Sequence, residues 1–534
     1  MRRDEALAVL SVALLLAVML ATIKWARVDE MRGDTAIFLQ SMQSIREHGV
    51  PTSEVLANTQ AFIRGGYLAM DARDVANDPL VPPRGAENLL DVHAYWVLYP
   101  LALATLLVPG LILIEAASAL TYAGFLALVY AVVRRRGVPL VGSLLFCALV
   151  IASPGWAWSA LFGQFFPDRL FVLAGFAFML VVGRANGSRI GQLALALLCA
   201  SINERAALVA GVFVLAYVAL YWRRVSNDRL FKIGLGAVLV AYAAIVVHGE
   251  SSVYAGFFPT TLPALQAEFS NPVFLRATLD YVTVCLPLLL LAAFEWRAAA
   301  IAVLLMLPNI FGSIGGAEKT GWDTHYHSYD FPVLVWAAIQ GYAAIFASGR
   351  IPRAAVYAAT ALLALFLCAR YPSMTFFTNF PQQATAVAAQ PWYYHAIGDR
   401  LASLVPAGTD VTTVEAGMPV LYPGRTLHLF PIGIDAARYA VLNDSGNGRY
   451  GGVPNRYAGE AREADRLIVA RMRCDGYDFA DSAKIPALDL VIVKRGRPLP
   501  PCAAHAASSA QTARRTSAHS KSTGYLPKSV SRRA

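Results

Sequence analysis

Just past its first hydrophobic run the chain carries three carboxylates, Asp29, Glu30 and Asp34. Acids at a membrane boundary can be solvated surface, or they can take a proton from a substrate hydroxyl that arrives from the lipid phase. A second group lies far along the chain, where Asp323, His325, His327 and Asp330 put two imidazoles and two carboxylates within eight residues. These could ligate a divalent cation, with Asp323, His325 and His327 as the candidate ligands. Hard cations prefer oxygen, however, and the spacing matches no defined metal motif. Hydrogen bonding of His327 or Tyr329 to a substrate phosphate is an equal reading, and a solvated loop is the plain one.

Three more places carry chemistry inside or beside apolar segments, where a charge is costly and usually functional. Asn203-Glu204-Arg205 interrupts an apolar run over 190–222 that is too long for one helix and right for two. Glu204 and Arg205 there can serve a site or simply pair with each other. Phe165-Phe166-Pro167-Asp168-Arg169 opens a helix, with Pro167 suited to its first position and Asp168 to its first turn. Capping explains Asp168, whereas Arg169 opposes the helix dipole and would be favoured by a phosphate. His93, near Asp91, sits among Tyr95, Trp96 and Tyr99, an aromatic set that reads as interfacial anchoring with one titratable member.

The elements that must position these residues are membrane helices. The 534 residues are 57% hydrophobic and only 15% charged, too apolar for a water-soluble chain of this size. Apolar segments fall at 7–23, 97–114, 116–133, 138–153, 167–183, 190–202, 205–222, 231–247, 277–294, 298–314, 331–348 and 353–369. The segment 97–114 holds Pro100 and Pro109 and reads, with its neighbour, as one broken or re-entrant passage, which leaves about 11 crossings. Arg134-Arg135-Arg136, Arg184, Arg189, Arg223, Arg224, Arg229, Lys232, Arg297, Arg350 and Arg353 then share a side with Arg2 and Arg3. That side is cytoplasmic by the positive-inside rule. The N-terminus is expected inside a bacterial inner membrane, with the chain beyond residue 370 in the periplasm.

All nine histidines fall on the outer side, as do Cys474 and Cys502, which could form a disulfide or stay as two thiols. Cys147, Cys199, Cys285 and Cys368 read as small core residues. The first segment starts like a signal peptide but lacks a convincing cleavage site and runs into Lys24-Trp25, read as an interfacial anchor of a retained span. The formal charge of +10 comes from inner loops and the tail and does not indicate nucleic acid.

The expected domains are a membrane unit over 1–370 with a first outer loop at 24–92, an outer α/β domain over 371–502, and a disordered basic tail over 503–534. In the first loop, Ile37, Phe38, Met42 and Ile45 form a helical stripe that places Asp34 in the first turn, with Gly49 and Pro51 as the stop. Further outer loops span 249–276, with Phe257, Phe258 and an amphipathic Leu262 to Phe269, and 315–330. In the outer domain Pro391 to Leu404 reads as helix, and 411–414, 427–430, 439–442 and 488–493 as short strands.

An Asp-x-x-x-Phe-x-Gln opening (Asp34, Phe38, Gln40) is followed by His93 before a Pro-containing aromatic passage, a Phe-x-Pro-Asp helix start, Glu204 at a hairpin tip and a His-Tyr loop. In this order the chain resembles the bacterial membrane family called domain of unknown function 2079. That family looks related to the GT-C superfamily of multi-span glycosyltransferases that use polyprenyl-phosphate sugars. The resemblance covers most of residues 30–345 and, more weakly, the outer domain.

It implies an all-α polytopic GT-C-like membrane protein, with a catalytic Asp34 as general base toward an acceptor hydroxyl. Arg169, Glu204, Arg205, His93, Lys319, His327 and Tyr329 would attend the substrate and its phosphate. The donor would be a polyprenyl-phosphate sugar, the acceptor a lipid, glycan or protein of the envelope, and a divalent cation a possible cofactor. Where the family has a Phe-His-Pro-Glu-like signature this chain has Phe165-Phe166-Pro167-Asp168, so the role of that His is not carried over. A transporter or lipid flippase and a non-catalytic envelope protein are the other readings; the sequence shows no convincing repeat of the kind transporters carry.

Overall fold

The computed structural model describes residues 3–26, 33–64, 72–77, 85–162, 164–184, 187–225, 228–249, 259, 261–312, 317–322, 325–389, 392–422, 424–446, 449–451, 458–486 and 489–496. Asp29, Glu30, Phe257, Phe258, Asp323, Cys502 and the tail lie outside them. The chain folds into two compact units, one from 1–53 with 87–396, the other from 54–86 with the chain from 397 onward. The second unit thus draws a piece from the first long loop.

In the first unit each apolar segment of the sequence becomes helix. The helices are α1 (Arg3–Ala26) and α2 (Gly33–His48), then, after α3 and α4 of the second unit, α5 (Leu98–Ala104), α6 (Gly110–Arg135), α7 (Leu140–Ala152) and α8 (Pro154–Leu161). They continue as α9 (Leu170–Val182), α10 (Arg189–Ile202), α11 (Glu204–Leu220), α12 (Arg229–Gly249), α13 (Leu262–Ser270) and α14 (Pro272–Ala292). The last are α15 (Trp296–Phe311), α16 (Ala317–Thr320), α17 (His327–Ser348), α18 (Arg353–Arg370) and α19 (Phe376–Ala389). Strands β1 (Thr52–Ser53) and β2 (Glu87–Asn88) pair antiparallel beside them.

Six of these helices, α1, α6, α12, α14, α17 and α18, are long and apolar enough to cross a membrane, or seven if α7 and α8, bent by 66° at Pro154, count as one span. The sequence reading of eleven also counts α9, α10, α11 and α15. Of these, α10 and α15 are shorter apolar helices of 14 and 16 residues. The proline-bearing segment breaks at Thr105–Pro109 into a short α5 and a continuous α6.

The core of the bundle is aromatic and aliphatic, with Tyr122, Phe125, Trp156, Phe171, Phe176, Phe213 and Tyr342 fully buried. Helices α14 and α17 touch at Gly341, where an added Cβ would lie 1.9 Å from the Leu291 carbonyl oxygen. Lys24 departs from the anchor reading. It is 5% exposed and pairs at 3.6 Å with the buried Glu115 of α6, while Trp25 packs on His395 at 4.0 Å. An apolar span cannot leave a lone lysine inside a helix contact without a counter-charge.

The second unit comprises α3 (Glu54–Arg64) and α4 (Ala72–Asn77), then α20 (Tyr393–Leu404), which enters it from the first unit, α21 (Met418–Leu421) and α22 (Ala458–Cys474). Its sheet holds β3 (Asp410–Thr413), β4 (Thr426–Leu429), β5 (Tyr439–Asp444), β6 (Tyr450–Gly451), β7 (Tyr477–Ile485) and β8 (Leu490–Arg495). The order is β4-β3-β5-β8-β7, with β6 also on β5; β3 runs parallel to β4 and β5, and the other pairings are antiparallel. The inward runs Val411, Leu427, Val441 and Ile492 are buried. Cys474 is disulfide-bonded, and the other described cysteines are free.

Candidate functional site

One end of the first unit gathers most of the chemically suggestive residues. Helices α9, α11 and α17 all begin there, with the turn Pro167–Arg169 before α9 and Asn203 capping α11 by accepting from the Arg205 amide at 2.7 Å. Asn203 takes an extended backbone and ends α10 at the same point, which is why the long apolar run folds as a hairpin.

Glu204, fully buried, is the hub of this end. One carboxylate oxygen lies 2.9 Å from His93 Nδ1 and the other accepts from the Ala94 amide at 2.9 Å. The segment carrying His93 is fixed again by Val97, whose amide donates to the Ser201 carbonyl at 2.7 Å.

Asp168 is fully buried as well, and its side-chain hydrogen bonds run to other segments rather than to its own helix start. Its carboxylate accepts from the Tyr95 hydroxyl at 2.8 Å and from the Tyr329 hydroxyl, which ties the 89–97 segment, the α9 start and α17 together. Burial, followed by the Asp168 and Glu204 charges, pushes the Tyr95 hydroxyl well above its ordinary value and keeps it a donor. Arg169, also fully buried, donates to the Ser159 carbonyl at 2.8 Å.

Asp34 reaches this end through α2. It sits in the first helical turn, half-buried, and accepts from the Gln164 side-chain amide at 3.2 Å. Helix α2 docks by Phe38, whose ring meets Tyr95, Phe165 and Phe166 edge-on at 5.7, 6.0 and 5.9 Å. Gly49, at φ +78°, ends the helix as the sequence predicts.

Arg205 is half-buried and lies 5.6 Å over the Tyr326 ring. Burial raises the Tyr326 hydroxyl; Arg205 opposes that, and Glu318, Asp34 and Asp168 add to it, so all four charges act on one phenol. His325 packs on Phe166 at 4.6 Å. Its imidazole is half-buried by surface area but enclosed enough that burial, followed by Arg205, His93 and Arg169, pushes it well below its ordinary value. It is therefore neutral near pH 7, with one ring nitrogen that can accept a hydrogen bond. Sequence reading placed it only among metal candidates.

Two predicted residues face elsewhere. Lys319 is fully buried, bonded to Glu318 at 2.9 Å and to the Gly312 carbonyl, with its ammonium 4.1 Å from the Phe274 ring centre. His327 is 2% exposed and stacked on Trp322 at 3.9 Å and Tyr281 at 5.4 Å. Its Nδ1 is 3.9 Å from Asp330, and neither ring nitrogen hydrogen-bonds to a described residue. Asp330 itself accepts from the Tyr281 hydroxyl. Among the described residues no group of three or more His, Cys, Asp or Glu could hold a metal ion, and Asp323 falls outside them.

The site thus offers a half-buried carboxylate, a neutral imidazole and a guanidinium beside a rigid buried scaffold of Glu204, His93, Asp168, Tyr95 and Tyr329. No family model and no curated protein matches the chain. Among solved structures it is similar to ArnT from Cupriavidus metallidurans in the apo state, at 12% identity and a TM-score of 0.42, over 90% of this chain and 97% of that one. What the fold and composition define is a mostly helical membrane protein with a smaller sheet-bearing unit at its C-terminal end.

Proposed function

We propose that the chain is a membrane glycosyltransferase that moves a sugar from a polyprenyl-phosphate donor to an envelope acceptor, working at the bundle end that holds Asp34. The observation that carries this reading is that segments far apart in sequence converge here: Arg205 lies 5.6 Å over Tyr326, His325 packs on Phe166 at 4.6 Å, and α2, which carries Asp34, docks on the same Phe166 through Phe38 at 5.9 Å. The resemblance to the family called domain of unknown function 2079, which looks related to the polyprenyl-phosphate-sugar transferases, implies the same base, Asp34.

In this reading Asp34 accepts the proton of the acceptor hydroxyl as that oxygen attacks the anomeric carbon, and the bond to the donor phosphate breaks with inversion. Gln164 orients the carboxylate, and Arg205 faces the departing phosphate with two or more N–H donors. Glu204 and Asp168 do not react; they lock the 89–97 segment and the helix starts behind the reacting groups. The bundle centre favours transfer over transport, because Phe125, Phe176 and Phe213 fill it with no exposure.

The bacterial inner membrane, an outward-facing site and a periplasmic second unit belong to the same proposal. Its test is to replace Asp34 with Asn in cells and compare envelope glycans and lipids with wild type. The transferase reading expects one sugar-bearing component to disappear while the protein stays folded; an unchanged profile counts against Asp34 as the base.

A further inference from the structure

The opposite end of the bundle holds a cavity of about 510 Å³ rimmed by Arg135, Arg136, Arg184 and Arg224 and floored by Tyr221 and Trp336. Helices α6, α9 and α11 end there, and α9 and α11 start at the Asp168 and Glu204 end, so the two places are separated by the helices' own length. At 1.5 Å per residue that is roughly 20–25 Å.

Arginines at helix C-termini complement the dipole and obey the positive-inside rule, which accounts for their presence one by one. It does not account for four of them around one hollow with no carboxylate in its lining. Other arginines at this end do meet acids: Arg134 with Glu5 at 2.7 Å, Arg189 with Asp228 at 2.8 Å and Arg297 with Glu295 at 3.9 Å. Among the described residues the four rim guanidiniums form no ion pair.

The floor is already engaged: Tyr221 donates to Glu295 at 3.0 Å and Tyr217 to the Gly183 carbonyl at 3.0 Å, the two rings stack at 4.7 Å, and Arg224 lies 5.2 Å over Tyr221. The rim guanidiniums are therefore what the hollow offers a ligand, and they present paired donors that match phosphate oxygens.

We propose that this cavity binds a phosphate-bearing anion, remote from the acid and histidine cluster. Two sources share that chemistry, the headgroup of an anionic lipid and a free phosphate compound. The full chain is reconstituted in nanodiscs of phosphatidylcholine, with or without phosphatidylglycerol, and lipid retained on extraction is counted by native mass spectrometry. In parallel, inorganic pyrophosphate and ADP are titrated calorimetrically into the phosphatidylcholine nanodiscs.

Binding in either arm at one site per chain, weakened at least about tenfold in Arg136→Gln/Arg224→Gln and unaffected by Arg350→Gln outside the lining, is the expected result. Retention in the lipid arm alone identifies a headgroup, and heat in the soluble arm alone a free phosphate. No binding in either arm, or binding that the double variant leaves unchanged, overturns the proposal. Should the double variant fail to run as a single species, Arg184→Gln at an exposed position makes the same comparison.

Discussion

Glu204 offers the sharpest test of how the candidate site is held. Both of its oxygens are engaged inside the protein, one with His93 and one with the Ala94 amide, each at 2.9 Å. Hydrogen bonds to a charged group contribute about 1.5–3 kcal/mol each, so Glu204→Ala should cost roughly 3–6 kcal/mol and leave the Ala94 amide buried without an acceptor. Glu204→Gln behaves differently, because histidine can change tautomer. An amide oxygen keeps the Ala94 bond, the amide N–H₂ donates to an unprotonated Nδ1, and only the charge assistance is lost, about 1 kcal/mol. Reversible unfolding in mixed micelles titrated with dodecyl sulfate measures both. A cycle with His93→Ala should show the second substitution costing far less once Glu204 is gone. If Glu204→Gln destabilises as much as Glu204→Ala, or Glu204→Ala costs under about 1 kcal/mol, the hub assignment is refuted.

Four further outcomes are expected. Lys24→Met should destabilise by about 3–5 kcal/mol because it strands Glu115, and adding Glu115→Gln should recover most of that loss in the same micelle assay. Gly341→Ala should abolish the folded species on size-exclusion chromatography, since its Cβ meets the Leu291 carbonyl at 1.9 Å with no flexible atom to yield. His327→Phe should preserve the melting temperature to within a few degrees, because the ring's aromatic stacking persists and no hydrogen bond to a described residue is lost. In the second unit, burial holds the His428 imidazole below its ordinary value. Its unfolded form binds the proton more readily, so stability is present above about pH 6.5 and lost as pH falls below it. His428→Phe should flatten the decline of the melting temperature over that acid range.

Much of the membrane unit was legible because apolar length and proline placement are local signals. The twelve apolar segments become helix, Pro109 ends the break before α6, and Asn203 splits the 190–222 run where its side chain caps α11. The second unit was harder. Strand β7 spans Tyr477–Ile485 with acids and serine along it, so it lacks the alternation that marked the other strands, and the buried stripe of α22, Ala464, Ile468 and Met472, is diluted by the many charges around it. The site's scaffold was hidden for another reason. Asp168 meets Tyr95 and Tyr329 across 73 and 161 residues of sequence, and Lys24 meets Glu115 from another helix, contacts that no spacing rule anticipates. A lone acid inside an apolar helix was the one available signal for Glu115.

The central claim is that Asp34 takes a proton while a sugar leaves a lipid phosphate. It is tested most directly by incubating the purified full chain in nanodiscs with radiolabelled polyprenyl-phosphate sugars and an envelope lipid extract, following loss of label from the donor. The account predicts donor consumption by the wild type and a fall of roughly 100-fold or more in Asp34→Asn, the scale of a missing general base. Equal rates for the two proteins, or no donor consumed by the folded wild type, would contradict it.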